Sequence, residues 1–378
     1  MPFIKKSLMN KKKIIRVTTV ADSICFYSDL IPALQKDYEV VGVSSPGKEL
    51  DELSEKGIRT IEVAMERRIS IVSDIKSLWK MYKVLRKESP YIVHSITPKA
   101  GLITMIASWL CRVPVRIHTF TGLVWPTAKG IQRRILMATD WLTCACATHI
   151  IPEGEGVKAD LLNHHITSKP IKVLGYGNVR GVDMEYFKPE PRNTEDVFTF
   201  VFIGRIVKDK GINELVAAFK RVNEKHKHVR LVLVGPKEDN LDPILPETAA
   251  EIHSNNAITE VGSQKDVRPF YQNADALVFP SYREGFPNVV LEAGAMGLPS
   301  IVTDINGSRE IIVESKNGTI IPPHDEQALY EAMLNWVENP QEVASMAANA
   351  RKMISERFEK SFVQKCMIDF YNKVSNTY

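Results

Sequence analysis

ADALVFPSYREGFPNVVLEAGAMGLP, residues 274–299, contains the pattern of a strand, then of a loop, then of a helix. Its first part is an apolar run typical of a buried strand, and this run stops at Pro280. The loop ends near Pro287, which suits the first turn of a helix because its missing N–H would have no partner there. Apolar residues then recur at helical spacing. Strand, loop and helix in this order form one βα unit of a parallel sheet.

Two carboxylates flank the start of this predicted helix, Glu284 in the loop and Glu292 inside the helix. A helix that begins at the carboxyl end of a parallel strand offers backbone N–H groups and the positive end of its dipole, which suits a phosphate. Carboxylates beside a phosphate are better suited to bind hydroxyl groups, so the pattern predicts a polyol on each side, as in a nucleotide-sugar. The predicted donor-binding residues here are Glu284, Gly285, Phe286, Pro287, Asn288, Val289 and Glu292.

An ordinary βα unit with two surface glutamates is the alternative interpretation of this segment. The Gly-Phe-Pro sequence at residues 285–287 and the strand before it favour the binding site.

Strand-like and helix-like segments alternate along the whole chain. Apolar, β-branched runs occur at residues 14–20 and 91–95 in the first half and at residues 198–204 and 229–235 in the second. Segments with helical periodicity separate them, which is typical of βαβ units. We therefore predict the α/β class, with two doubly wound, Rossmann-like domains.

The domain boundary is predicted in the polar, proline-containing residues 187–196. This gives an N-terminal domain of residues 1–188 and a C-terminal domain of residues 189–359. Ligands of open α/β sheets bind at the carboxyl ends of the strands, so both sheets are expected to present these ends to a cleft between the domains.

The first strand of the second domain ends in Gly204, and two cations, Arg205 and Lys210, follow it. Glycine at a strand end permits close approach of a ligand to the backbone. Two cations beside a helix N-terminus can offset the charge of a departing nucleoside diphosphate. A solvated basic loop is the alternative. Two more strands end in Gly235 and Gly262, where backbone contacts to a base are predicted.

Two histidines lie on strands of the first domain. His118 ends one strand, and an imidazole that faces the cleft can hydrogen-bond a sugar hydroxyl; His94 has a similar position on another strand. A histidine at a strand end is more often structural, so both interpretations stay open.

A basic, amphipathic segment is found at residues 129–137 (KGIQRRILM), where Lys129, Arg133 and Arg134 alternate with apolar residues. Such a helix can lie on an anionic membrane. A surface helix that packs one face on the core is an equally good interpretation. The apolar residues 120–125 that precede it favour a lipid-linked acceptor.

Composition narrows the class of protein. The net charge of +4 is too mild to indicate nucleic acid by itself, and it suits an anionic ligand or a membrane surface. The five cysteines are odd in number and scattered, as expected of free thiols in a reducing cytoplasm. Cys144 and Cys146 lack a second ligand pair, so no metal site is predicted.

Location is expected to be cytoplasmic, either free or peripheral on the inner face of the cytoplasmic membrane. The first residues show no signal peptide. The longest apolar run, residues 101–115, is interrupted by Arg112 and Pro114, and it is shorter than the roughly 20 residues that span a bilayer.

Together these motifs resemble the family 4 glycosyltransferases, retaining enzymes of the GT-B fold. The resemblance covers most of the chain and is strongest over residues 202–310, where the motifs follow the family's order. Its general character is that of bacterial transferases for polysaccharides and lipid-linked oligosaccharides.

The resemblance implies a role for each motif residue. Arg205 and Lys210 would bind the donor diphosphate, and Glu292 would hold the ribose. Glu284 and the backbone of the next two residues would hold the transferred sugar. The implied catalytic residues are Glu284, Lys210, Arg205 and His118, the last reaching the sugar from the first domain.

The resemblance also implies the chemistry. A hexose or N-acetylhexosamine would pass from a nucleoside diphosphate, expected to be UDP, to a hydroxyl of a glycan carried on polyprenyl diphosphate. No metal and no other cofactor is implied. The resemblance implies that the leaving phosphate deprotonates the incoming hydroxyl on the same face of the sugar, so that no dedicated nucleophile is needed.

The acceptor side departs from the family. Many members carry Gly-Gly after the first strand, whereas residues 19–24 read TVADSI here. We assign Asp22, Ser23, His94 and Thr121 to the acceptor side. The family's last helix returns to the first domain, and residues 360–378 are expected to do the same.

Two rival functions share these motifs. A GT-B epimerase acting on a UDP-sugar would need acidic and histidine residues around the anomeric carbon, and the sequence shows no such cluster. An inactive nucleotide-sugar-binding scaffold is the rival outside enzymes. The presence of Arg205, Lys210 and both glutamates argues against it.

Overall fold

The structure, a computed structural model, describes residues 11–66, 70–191, 197–238 and 242–376. The chain forms two compact units, one of Met1–Arg180 with Ser361–Tyr378 and one of Gly181–Lys360. Each unit contains a six-stranded sheet in which all pairings are parallel. The predicted α/β class with two doubly wound domains is confirmed.

The sheet of the first unit has the order β3-β2-β1-β4-β5-β6. Its strands are β1 (Lys12–Val17), β2 (Tyr38–Ser44), β3 (Arg59–Glu62), β4 (Ile92–Ile96), β5 (Val115–Phe120) and β6 (His149–Pro152). Its helices are α1 (Ile31–Leu34), α2 (Lys48–Glu55), α3 (Ile71–Glu88), α4 (Pro98–Leu110), α5 (Gly130–Cys146) and α6 (Glu155–Asn163), with the short 3-10 helices Ala21–Phe26 and Ser28–Leu30.

Helices cover both faces of this sheet, because successive side chains of a strand point to opposite faces. Ile14 of β1 belongs to a core shared with α1 and α2, whereas Ile15 belongs to a core shared with α3, α4 and α5. Strands buried on both faces explain the near-continuous apolar runs in the sequence.

The sheet of the second unit has the order β12-β11-β10-β7-β8-β9. Its strands are β7 (Phe198–Ile203), β8 (Val229–Val234), β9 (Ile258–Gly262), β10 (Ala276–Phe279), β11 (Ser300–Thr303) and β12 (Gly318–Ile321). Its helices are α7 (Ile212–Lys225), α8 (Pro246–Ser254), α9 (Arg268–Gln272), α10 (Asn288–Ala295), α11 (Ser308–Ile311), α12 (Glu326–Glu338) and α13 (Pro340–Phe358), and Lys208–Lys210 is a 3-10 turn.

The passage between the units lies earlier in the chain than the predicted linker. Val182, Met184 and Phe187 are buried in the core of the second unit, so the division falls at Arg180 and not after residue 188. Residues 192–196, the end of the predicted linker, lie outside the described residues.

The last helix, α14 (Lys360–Ser375), belongs with the first unit from Ser361 onward. Met367, Tyr371 and Val374 are buried in the core that contains α1 and α2. The apolar residues of this helix therefore complete one face of the first sheet.

Trp125 anchors the apolar loop that follows β5. Its ring is 1% exposed, and its Nε1 donates a hydrogen bond of 3.1 Å to Oδ2 of Asp140 on α5. Burial raises the pKa of the Asp140 carboxyl to about 7 from its ordinary 3.8, although the Trp125 hydrogen bond opposes that change. Asp140 is thus a buried acid that is protonated below neutral pH.

We expect the stability of the protein to depend on pH through Asp140. Because its folded-state pKa is raised, the folded chain binds more protons than the unfolded chain between about pH 4 and 7, and the unfolding free energy falls as the pH rises through this window. Asp140→Asn has no carboxyl group to ionise, so this fall of the unfolding free energy is absent in the variant. Denaturant titrations measure the unfolding free energy of both proteins. Between pH 4 and pH 8, the unfolding free energy of the variant relative to that of wild type should increase by on the order of 4 kcal/mol. If the unfolding free energies of wild type and variant changed in parallel with pH, the raised pKa of Asp140 would be contradicted.

Candidate active site

The predicted donor residues gather at one edge of the second sheet. Gly204 directly follows β7, Gly235 directly follows β8, and Gly262 ends β9. β10, which precedes the Glu284 loop, is the other neighbour of β7. Because parallel strands end at the same edge, these segments meet where ligands of α/β sheets bind.

An ion pair between Lys210 and Glu284 lies at the centre of this edge. Lys210 Nζ contacts Glu284 Oε1, and the two side chains are only 15% and 17% exposed. Ser281 Oγ donates a second hydrogen bond of 2.9 Å to the same carboxylate oxygen. An ammonium group has three N–H donors, so Lys210 can hold Glu284 and still donate to an anion.

The sequence motifs assigned these two residues to different parts of the donor, the diphosphate and the sugar. The structure shows that they are direct neighbours. Each orients the other, and a ligand that binds there meets a pair with little net charge and not an isolated cation.

A second ion pair ties together the two loops that carry Lys210 and Glu284. Arg283 donates to Oδ2 of Asp209 at 2.8 Å, and the N–H of Tyr282 donates to the carbonyl of Asp209 at 2.9 Å. Sequence reasoning missed this contact, because neither residue was given a role and their proximity follows only from the packing of β7 beside β10.

The turn after Lys210 also packs tightly against β10. Gly211 has φ +71°, and a Cβ at this position would lie 2.1 Å from the carbonyl oxygen of Pro280. Glycine is therefore required for the Lys210 turn to approach the end of β10.

Helix α10 starts at Asn288, and Pro287 is the residue that precedes it. Gly285, Phe286 and Pro287 are buried, so this loop has a fixed path between Glu284 and the helix. Gly307 packs on it, because a Cβ there would lie 2.4 Å from the Gly285 carbonyl oxygen. The predicted loop and helix start are thus present, one residue later than expected.

Glu292 lies in α10 beside a buried tyrosine that the motifs did not indicate. The hydroxyl of Tyr271, on α9, is 3.2 Å from Oε2 of Glu292 and 3.1 Å from the carbonyl oxygen of Val289. Burial holds the pKa of Tyr271 well above its ordinary value, with the Glu292 charge acting in the same direction. Tyr271 therefore stays a neutral donor that can orient the Glu292 carboxylate.

We expect Glu292→Gln to weaken binding of the free nucleotide roughly tenfold or more. A hydrogen bond to a charged acceptor contributes about 1.5–3 kcal/mol, whereas the amide keeps the shape and can still accept from Tyr271. Isothermal titration with UDP measures the change. An unchanged affinity would remove Glu292 from the predicted ribose contact.

Arg205 is separate from the Lys210–Glu284 pair. Its Nη1 is 2.6 Å from Oε2 of Glu238, in the loop after β8, and its side chain is 44% exposed. A guanidinium has five N–H donors, so Arg205 retains donors for a phosphate. Glu238 is a partner that the sequence did not indicate.

The three glycines at the strand ends, Gly204, Gly235 and Gly262, differ in how much space a Cβ would have. A Cβ on Gly235 would lie 1.8 Å from the carbonyl oxygen of Gly204, so the packing of β7 on β8 requires glycine at position 235. A Cβ on Gly262 would meet no atom within 4 Å. A Cβ on Gly204 would come no closer than 3.2 Å to the side chain of Phe202.

The structure contradicts the predicted contact of His118 with the sugar. Its ring is 1% exposed and lies beneath α4, where a Cβ on Gly101 would come within 2.4 Å of it. Nδ1 is 2.8 Å from Ser95 Oγ, and burial lowers the pKa of His118 to about 3. His118 is a neutral packing residue, the alternative that the sequence left open.

His94 is likewise a core residue and not an acceptor contact. It is 0% exposed, with Nδ1 2.6 Å from the hydroxyl of Tyr371 and Nε2 2.7 Å from Thr119 Oγ1. Burial, helped by the charge of Arg16, holds the pKa of His94 well below its ordinary value. The ring therefore links β4 and β5 to α14.

The other predicted acceptor residues lie near the carboxyl edge of the first sheet. Asp22 and Ser23 belong to the 3-10 helix after β1, and Thr121 directly follows β5. Asp22 is exposed, and Ser23 and Thr121 are half-buried. Their assignment to an acceptor stays a prediction.

Across the described ranges, no group of three His, Cys, Asp or Glu side chains is placed to hold a metal ion. In the same part of the chain, no helix combines the length and apolarity needed to cross a bilayer.

The sequence itself matches known families over both units. Residues 183–353 match the family described as glycosyl transferases group 1, and residues 27–177 match the glycosyl transferase 4-like domain. Over 374 residues the chain is 33% identical to the capsular polysaccharide biosynthesis glycosyltransferase CapM of Staphylococcus aureus, covering 96% of this chain and 98% of CapM.

The chain belongs to the group 1 glycosyltransferases. The resemblance to family 4 that the motifs indicated is thereby confirmed. This glycosyltransferase is also 26% identical to the UDP-Gal:alpha-D-GlcNAc-diphosphoundecaprenol alpha-1,3-galactosyltransferase of Escherichia coli, over 87% of each chain.

Solved structures agree with the fold. Anabaena HepE in complex with UDP and glucose has a TM-score of 0.80 to this glycosyltransferase, at 17% identity, covering 96% of this chain and 100% of HepE. At this identity the similarity concerns the fold alone, and the predicted GT-B fold is confirmed.

Proposed function

We propose that this glycosyltransferase moves a hexose or N-acetylhexosamine from UDP to a hydroxyl of a glycan carried on polyprenyl diphosphate, with retention of the anomeric configuration and without a metal ion. The product would be an intermediate of a surface polysaccharide. The observation that carries the proposal is the Lys210–Glu284 pair beside the start of α10.

The donor side of the proposal rests on this arrangement. Lys210 and the N-terminal end of α10 place positive charge where a diphosphate can leave, and Arg205 adds a guanidinium from the adjacent strand end. Charge that develops on the leaving group is stabilised by donors held in place beforehand, a role that a metal ion fills in other transferases. Glu284, oriented by Lys210 and Ser281, is available to accept from sugar hydroxyls.

The nucleotide and the acceptor are proposed from the relatives. The E. coli relative is named for UDP-galactose and for an acceptor on diphosphoundecaprenol. The fold neighbour HepE was solved with UDP. CapM is named for capsular polysaccharide biosynthesis, which supports a surface polysaccharide as the product.

The retaining step is proposed from the family resemblance. The proposal needs no protein nucleophile, because the leaving phosphate oxygen takes the proton of the acceptor hydroxyl as that hydroxyl attacks the anomeric carbon from the same face. The bond from the sugar to the diphosphate breaks, the new glycosidic bond forms, and UDP leaves with the proton. Lys210 stabilises the phosphate charge throughout.

A lipid-linked acceptor places the enzyme at the inner face of the cytoplasmic membrane. We propose that it is a peripheral protein there. The exposed apolar residues of α5, including Ile131 and Ile135, support this, and they fall within the basic segment identified in the sequence.

A transfer assay with a defined product tests the proposal. The purified chain is incubated with UDP-hexoses and UDP-N-acetylhexosamines, a polyprenyl-diphosphate-linked sugar and EDTA. The expected product has the anomeric configuration of the donor, read from the proton coupling constant by NMR. An inverted product, or turnover abolished by the chelator, would overturn the mechanism.

A further inference from the structure

Helices α3, α4 and α5 form one outer layer of the first unit, with α4 in contact with both neighbours. Their inner sides build the core against the sheet. Their outer sides carry apolar residues that reach solvent. We call this the three-helix surface, defined by Val72, Ile75 and Trp79 of α3, Trp109 and Leu110 of α4, and Ile131, Ile135, Trp141 and Leu142 of α5.

The apolar residues of α3 form a row and are not scattered. Val72, Ile75 and Trp79 are spaced three and four positions apart, which places them on one side of the helix. They are 67%, 61% and 58% exposed. Trp79 stacks on Tyr82 of the same helix, with ring centroids 5.5 Å apart, and the outer side of the row still faces water. An exposed apolar row of this kind lowers solubility and is typical of an interaction surface.

The tryptophans mark the same surface. Of the five in the chain, Trp125 and Trp336 are fully buried, whereas Trp79, Trp109 and Trp141 are more than half exposed. Each of the three exposed rings lies on a different helix of the layer. Tryptophan is enriched at membrane–water interfaces, where its ring lies among headgroups.

Cations border the apolar row on α3. The exposed cations of this helix are Lys76, Lys80, Lys83, Arg86 and Lys87. Its two acids point elsewhere and are paired: Asp74 lies 2.6 Å from Lys99, and the buried Glu88 binds Lys13 and Arg59. The outward face of α3 is therefore apolar on one side and purely cationic on the other.

This combination favours an anionic lipid bilayer over a second copy of the chain. A symmetric dimer through α3 would bring like-charged lysine rows together, because both partners contribute the same patch. A bilayer of anionic lipids instead takes up the apolar row and attracts the lysines.

We propose that the three-helix surface binds an anionic bilayer, with Trp79, Trp109 and Trp141 at headgroup depth. The inference deepens the proposed function and rests on its lipid-linked acceptor, since a surface-bound enzyme meets such an acceptor in two dimensions. It extends the membrane contact from α5, where the sequence indicated one, to α3 and α4.

Vesicle co-sedimentation of the full chain, without substrates, tests the surface. We expect binding to phosphatidylcholine–phosphatidylglycerol vesicles that weakens with salt, little binding to phosphatidylcholine alone, and a blue shift of tryptophan emission on binding. Lys76→Gln combined with Lys80→Gln should lower the partition coefficient more than about tenfold, because each lysine is expected to contribute a factor of about five. Ile75→Ser with Trp79→Ala should lower it as well.

Matched changes on the second unit control for general effects. Lys227 is exposed and Leu245 is 44% exposed, and both lie on the other unit. Lys227→Gln and Leu245→Ser should leave vesicle binding unchanged. Equal binding by the α3 variants and wild type would overturn the proposal, as would a wild-type dimer in sedimentation velocity that the α3 variants convert to monomer.

The test separates this inference from the proposed function. Transfer to a soluble, lipid-free analogue of the acceptor should be unchanged in the α3 variants. Vesicle binding without transfer to any acceptor would overturn the proposed function and support the membrane-binding surface. Transfer without vesicle binding would support the proposed function and overturn the membrane-binding surface.

Discussion

Lys210→Ala is expected to lower kcat for sugar transfer by about 10²–10³. Removing one fixed donor from a developing oxyanion typically costs this much. The structure adds a second reason, because the substitution leaves Glu284, only 17% exposed, without its cation beside the position proposed for the diphosphate. The remaining carboxylate would repel the leaving group.

The same 3-10 turn supplies the control for this measurement. Lys208 is exposed in the turn, two positions before Lys210, so Lys208→Ala changes the net charge by the same amount. Its kcat should stay within about twofold of wild type. Glu284→Gln combined with Lys210→Ala should recover part of the loss, since the unpaired charge is removed. Equal kcat for Lys210→Ala and Lys208→Ala would exclude Lys210 from the chemistry.

Gly235→Ala is expected to lower the unfolding free energy by about 3 kcal/mol or more. The added Cβ would lie 1.8 Å from the carbonyl oxygen of Gly204, which is backbone and cannot rotate away. The residue also has φ +148°, a conformation that side chains rarely adopt. Relief requires the carboxyl ends of β7 and β8 to move apart at this edge of the second sheet.

Gly262→Ala is the matched comparison for Gly235→Ala. Gly262 has φ +74°, but a Cβ there would meet nothing within 4 Å. Only the conformational cost of about 1–2 kcal/mol remains. Urea denaturation of the two variants measures the difference. Similar losses would show that strain alone, and not the contact with Gly204, makes glycine necessary at position 235.

The sequence predicted the sheets well because their signal is local. Runs such as residues 198–204 and 229–235 are apolar enough to be strands buried on both faces, and they became β7 and β8. The helix after Glu284 was also predicted to within one residue, from Pro287. These features depend on neighbours in the chain.

The contacts of the site depend on distant residues, and the sequence did not predict them. Lys210 and Glu284 meet because β7 and β10 are neighbours in the sheet, although many residues separate them in the chain. Tyr271 beside Glu292 and Asp209 beside Arg283 arise in the same way. No spacing rule links these pairs.

The histidines show the limit of position as a guide to function. His118 and His94 end or line strands of the first unit, as a ligand contact would, but their rings turn into the core. Gly101 is the signal that could have shown this, since a glycine inside α4 makes room for the His118 ring. The boundary after Arg180 was missed for a related reason: Phe187 was assigned to the polar linker and is a core residue.

Nucleotide binding reports directly on the proposed metal-free diphosphate site. We would measure the thermal unfolding midpoint of the purified chain with UDP, GDP and ADP, each with and without EDTA. We expect UDP to raise Tm, the chelator to leave this rise intact, and Glu292→Gln to reduce it. No rise with any nucleotide, or a rise that disappears with EDTA, would contradict a metal-free diphosphate site at the edge formed by Lys210, Glu284 and α10.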